Sequence, residues 1–122
     1  MKNYNKFIKK FMDSWKNLEG VQTCELLANT LEGYYETPLD KPLTTKDAVK
    51  PLWEIVPKNQ KDISYTYDIL FEDNEHCLFH FTMTRTMTAT NKVQHIDGIC
   101  EIKLDDNNLL TLFKQWRFTK EN

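Results

Sequence analysis

The chain has 122 residues, with 16 basic and 18 acidic side chains for a formal net charge of −2. That balance excludes a generally basic nucleic-acid binder, and an aromatic content of 12% excludes a disordered chain. The length fits a single domain over 1–122, able to bury roughly two thirds of its unfolded surface without a structural metal. There are three glycines, Gly20, Gly33 and Gly98, too scattered for a phosphate-cradling loop. Neither serine, Ser14 nor Ser64, sits in a nucleophile-elbow motif, which argues against a standard serine hydrolase. Cys24, Cys77 and Cys100 are odd in number, widely spaced and without a C-x-x-C pair. They read as reduced, buried thiols, and the expected location is cytoplasmic. The charged first ten residues have no apolar run, so neither a signal peptide nor a membrane span is expected.

From Asn5 to Leu18 apolar residues recur at spacings of three and four (Phe7, Ile8, Phe11, Met12, Trp15), which predicts an amphipathic helix with Gly20 as its C-cap. Val21–Ala28 reads as a second, short helix and Leu31–Glu36 as a short strand. Pro38 and Pro42 then mark a loop. Thr44, with Asp47 three residues on, reads as a capping box that opens a third helix, with Val49, Leu52, Trp53 and Val56 inward, Pro51 inside it and Pro57 near its end.

From Ile63 the period becomes two. Ile63–Phe71, Cys77–Thr88, Lys92–Leu104 and Leu109–Phe118 read as four strands, joined by short polar turns that favour antiparallel pairing. Helices gathered before a strand meander predict an α+β fold, with about three helices on one face of a strongly curved sheet of four long strands and one short one.

Several pieces in this order resemble the nuclear transport factor 2-like superfamily, which includes SnoaL-like polyketide cyclases and ketosteroid isomerase. They are Phe11-Met-Asp-Ser-Trp15, Tyr34-Tyr-Glu-Thr-Pro38, Thr45-Lys-Asp-Ala-Val49 before Trp53, His95-Ile-Asp-Gly98, and Leu109 to Trp116. The resemblance implies a cone with a pocket at its open end and, in many members, a homodimer. It also implies where ketosteroid isomerase chemistry would sit. The general base falls on Thr37 and the oxyanion tyrosine on Phe11, and neither side chain can take that role. Asp97 is the remaining match, with His95 beside it as a second acid–base candidate. The reading therefore leans against an enzyme of that type.

On the second long strand Phe79, Phe81, Met83, Arg85 and Met87 share a face, and on the last strand Leu110, Leu112, Lys114, Trp116 and Phe118 do so. Both sets are expected to face the pocket. An unpaired inward cation is costly, so three readings of Arg85 stand: an ion pair with Asp97 or Glu101, a strand-end residue reaching solvent, or an anchor for a ligand's acid group. Alternation puts Ile96, Cys100 and Ile102 inward and Asp97 outward, unless a bulge near Gly98 reverses it. The resemblance turns Tyr35 and Thr37 inward. Thr82, Thr84, Thr86 and Thr88 form an uncharged stripe expected to be a homodimer interface.

The leading expectation is a binding module for a small apolar or anionic molecule. Its ligand-binding set is Arg85, Lys114, Tyr35, Thr37, Trp53, Met83, Met87 and Trp116, with Phe81 and Leu112 completing the wall. No cofactor or metal is implied, since His76 and His80 on a strand stand roughly 13 Å apart. The alternatives are an acid–base isomerase or cyclase using Asp97 or His95, and a protein-interaction domain without a ligand.

Overall fold

The computed structural model describes residues 2–122. The order is α1 (Tyr4–Lys16), α2 (Gly20–Glu25), β1 (Thr30–Tyr35), β2 (Leu43–Thr45), α3 (Lys46–Glu54), α4 (Val56–Asn59), β3 (Gln60–Glu72), β4 (Cys77–Met87), β5 (Val93–Leu104) and β6 (Leu110–Glu121). The six strands form one sheet in the order β2-β1-β6-β5-β4-β3. β3 to β6 pair as an antiparallel meander. β1 lies parallel to β6, which makes the sheet mixed. Among the described residues no helix is long and apolar enough to cross a membrane.

The helices cover the inner face of the sheet. α1 lays Phe7, Ile8, Phe11, Met12 and Trp15 against Phe79, Phe81, Met83, Cys100, Ile102 and Phe113, all buried. Phe11 is a core side chain, with its ring 5.6 Å from that of Phe113 and 5.4 Å from that of Trp53. Inner-face residues on β4 are the odd-numbered ones and on β5 the even-numbered ones, in the burial alternation of each strand. The three cysteines are free and buried.

Local chemistry departs from expectation in four places. Gly20 is not a C-cap: Asn17 closes α1, Leu18 takes the left-handed turn at φ 60°, and Gly20 opens α2. What Gly20 supplies is clearance, since a Cβ there would lie 2.2 Å from the Trp53 carbonyl oxygen. The cap of α3 is Thr45, one residue later than the Thr44 reading, and its hydroxyl accepts from the Ala48 N–H at 3.1 Å. Pro57 stands in the first turn of α4, where its missing N–H is no loss. Thr88 lies past the end of β4, where its hydroxyl donates to the Lys58 carbonyl at 2.9 Å.

The largest departure is on β6. The β5–β6 register shifts between Lys103↔Leu112 and Leu104↔Leu110, so Thr111 is an extra residue in the ladder. A bulge of this kind exchanges the two faces of everything beyond it. Leu110 is inward before it; after it Phe113 and Gln115 are inward and buried, while Trp116 and Phe118 are exposed.

Candidate functional site

At the end of the sheet where α1 runs out, the inner face is not filled. A cavity of about 200 Å³ remains, lined by Trp15, Tyr34, Glu36, Trp53, Asn59, Gln60, Arg85, Met87, Phe113, Gln115 and Arg117 among others. Its walls are aromatic and rigidly held. Trp15 and Trp53 meet edge to face, with centroids 5.4 Å apart at 86°. Tyr34 stacks on Phe113 at 4.7 Å. The Trp53 indole N–H donates to the Tyr34 hydroxyl at 3.0 Å, and the Trp15 indole N–H donates to Gln60 Oε1 at 3.0 Å. Burial drives the Tyr34 pKa far above the usual phenol range, so this hydroxyl stays neutral. The Gln115 side-chain amide donates to the Glu36 carbonyl at 3.1 Å and ties β6 to the end of β1.

The charge in this cavity is unbalanced. The chain's two arginines, Arg85 and Arg117, both line it. Arg85 is 7% exposed. Its Nε donates to Gln94 Oε1 at 2.9 Å, and Gln94 in turn donates to Glu121 Oε2 at 3.0 Å. Among the described residues no carboxylate lies within ion-pair distance of either guanidinium. Burial, with repulsion from Arg117 second, pulls the Arg85 pKa below the ordinary guanidinium range, to about 10. Arg85 therefore stays charged at neutral pH, held by a neutral amide. The expected ion pair with Asp97 or Glu101 is absent, and so is the escape to solvent.

The sequence-derived set divides in two. Arg85, Trp53 and Met87 line the cavity. Met83 and Phe81 are inward but buried deeper in the core. Tyr35, Lys114 and Trp116 come together on the opposite, outer face, with the Lys114 ammonium 5.0 Å from the Tyr35 ring centre and 5.3 Å from that of Trp116. Leu112 moves outward with them. The cause is shared: the Thr111 bulge turns Lys114 and Trp116 outward, and the parallel register Tyr34↔Phe113, Tyr35↔Lys114 gives Tyr34 the inner position. Thr37 is exposed in the loop after β1.

Asp97 and His95 are also on the outer face. The β4–β5 ladder runs without a shift from Cys77↔Ile102 to Thr86↔Val93, so no bulge at Gly98 turns Asp97 inward. Asp97 meets His80 there, Oδ1 to Nε2 at 2.8 Å, and His95 meets the Asn122 side chain at 3.0 Å. Thr84 and Thr82 pair their hydroxyls with Ser64 and Thr66 of β3 at 2.6 and 2.5 Å. Beside this stripe lie the exposed Ile99, Trp116 and Phe118. A broad, shallow depression of about 640 Å³ runs along this face.

No protein-family model matches the chain, and no curated protein does. Solved structures do. A putative isomerase from Bacillus subtilis superposes with a TM-score of 0.80 at 13% identity, covering 93% of this chain and 84% of that one. SalBIII, an epoxide hydrolase/cyclase-like enzyme in pyran ring formation in the polyether salinomycin, gives 0.79 at 5% identity, covering 93% and 89%. A nuclear transport factor 2-like protein of unknown function from an Exiguobacterium species gives 0.74 at 12% identity, covering 92% and 98%. The chain has the nuclear transport factor 2-like fold. At these identities the likeness concerns the backbone and carries no activity with it.

Proposed function

We propose that the cavity binds a small, largely apolar organic anion, with Arg85 and Arg117 receiving its acid group and the Trp15, Tyr34, Trp53 and Phe113 rings holding its body. One observation carries this reading: a buried guanidinium with a hydrogen bond to a neutral amide and no carboxylate, beside the chain's other arginine. A charge that is expensive to bury is made good by an opposite charge of fixed geometry, and a carboxylate matches guanidinium bidentately. Arg117 takes the supporting place expected of Lys114. The isomerase or cyclase reading has only Glu36 left as a carboxylate lining the cavity, since Asp97 and His95 lie across the sheet from it. The interaction-domain reading needs a filled cone, and the cavity counts against it.

The outer face, with Thr82, Thr84, Thr86, Ile99, Trp116 and Phe118, is the surface we assign to a homodimer. The free, buried thiols suit the expected cytoplasmic location.

The test is a thermal-shift titration of wild type and Arg85→Met with benzoate and with benzamide. A carboxylate at about 100 times its dissociation constant adds roughly 2.7 kcal/mol of stability. Stabilisation of the wild type by benzoate alone, lost in Arg85→Met, is the expected result. Equal response to the neutral amide, or an undiminished response in the variant, overturns the anion reading.

A further inference from the structure

We infer that Gln94 keeps the anion site open: it holds Arg85 through Nε without neutralising it, and leaves the two terminal amino groups to receive the ligand's acid group end-on; this rests on the anion-binding reading above.

Register is the first observation. Arg85 on β4 stands directly opposite Gln94 on β5, and Gln94 stands directly opposite Glu121 on β6. Directly opposed residues share a face, so the three side chains form one row across the sheet. Position 94 is thus the place from which a carboxylate would neutralise Arg85. The chain carries an amide there and puts its carboxylate one strand further on, two strand spacings or about 10 Å from β4. Glu121 is exposed, with the Lys92 ammonium 3.9 Å from its Oε1.

The second observation is the polarity of the row. A guanidinium only donates and a carboxylate only accepts, so an amide between them has one orientation. Arg85 Nε donates to Gln94 Oε1 at 2.9 Å, and Gln94 Nε2 donates to Glu121 Oε2 at 3.0 Å. Both ends of the amide are held, and Arg85 is fixed by a group without charge.

The third is what remains of Arg85. Among the described residues Nε is the one guanidinium atom with a protein partner, and no ion pair reaches the group. The terminal amino groups are not sealed in. Among the described residues the buried side-chain polar atoms without a partner are Tyr4 Oη and Asn59 Oδ1, so the unpartnered nitrogens of Arg85 keep access to the cavity it lines. With Nε taken, a carboxylate meets the fork of the two terminal groups.

The experiment exchanges amide and carboxylate. Gln94→Glu combined with Glu121→Gln keeps the net charge and a donor–acceptor match along the row, but moves the carboxylate next to Arg85. Wild type, the exchanged variant and Gln94→Met are titrated calorimetrically with benzoate and melted without it. The exchanged variant should bind benzoate about tenfold or more weakly than wild type, because the ligand must displace a charged partner. It should also melt higher than wild type. Gln94→Met, which adds no charge, should stay within about fivefold of wild-type affinity. Undiminished binding by the exchanged variant, a fall in both its affinity and its melting temperature, or a Gln94→Met as weak as the exchange each overturns the inference and leaves the anion reading in place. Gln94→Glu alone carries the same affinity test if the exchanged variant does not fold. No benzoate binding by wild type removes the anion reading and this inference together.

Discussion

Arg85 is a charge that the empty protein holds at a loss, and this makes its removal stabilising. Its pKa falls below the ordinary guanidinium range to about 10, and at 1.36 kcal/mol per unit that is a cost of about 3 kcal/mol for keeping the guanidinium charged in the folded state. Arg85→Met removes the charge and keeps a long apolar stem in the same space. It also deletes the charge-assisted bond to Gln94, worth about 2 kcal/mol. The variant should be more stable than wild type by about 1 kcal/mol. With an unfolding entropy of about 2.1 cal/mol/K per residue, the 122-residue chain should melt about 4 °C higher. The folded pKa lies below the unfolded one, so the cost is in full force below about pH 10 and fades as pH rises beyond it. The gain should therefore be flat from about pH 6 to 9. Urea denaturation of the ligand-free proteins across that range is the assay. A variant less stable than wild type by about 1 kcal/mol or more would mean that a protein partner already compensates Arg85, and the argument for an incoming anion would fail with it.

Two further outcomes follow from packing. Gly20→Ala places a methyl 2.2 Å from the Trp53 carbonyl oxygen; it should lower unfolding free energy by about 2 kcal/mol or more, and a change within experimental error would show that α2 and α3 are free to separate. The wild type should run as a dimer in light scattering at micromolar concentration, and Phe118→Glu with Ile99→Glu, both on the exposed outer face, should run as a folded monomer; a monomeric wild type refutes that interface.

The fold was readable because its signals are long. Thirteen residues of helical period in α1 and four strands of at least eleven residues leave little room for another reading. What escaped was short or symmetric. β2 is only Leu43–Thr45, after a proline-broken loop. Thr44 and Thr45 are the same residue type side by side, so composition alone did not choose the cap. Tyr34 and Tyr35 are likewise identical, and only pairing with β6 decides that Tyr34 enters the cavity. Asn59 and Gln60 carried no motif, because their role depends on where a helical turn meets a strand.

The site itself turns on one residue of register. Along β6 the sequence Leu112-Phe-Lys-Gln-Trp-Arg-Phe118 is evenly mixed: each alternate set holds both apolar and polar or charged side chains. Hydropathy cannot say which set is inward, so the even-numbered set continued from Leu110 is the natural choice. Thr111 breaks that continuity. With the bulge, Lys114 and Trp116 go to the outer face and Arg117 joins Arg85 at the cavity. Without it, the inner face would carry Lys114 and Trp116, and Arg117 would point to the outer face. The signal that could have exposed this is the scarcity of arginine. A chain that uses lysine for nearly all its positive charge and arginine twice, on two strands of one sheet, reserves the planar, hard-to-neutralise group for a place where geometry matters. A single bulge is thus enough to change the site from a lysine-lined pocket into one with paired guanidinium groups, while the backbone keeps the fold it shares with its structural neighbours.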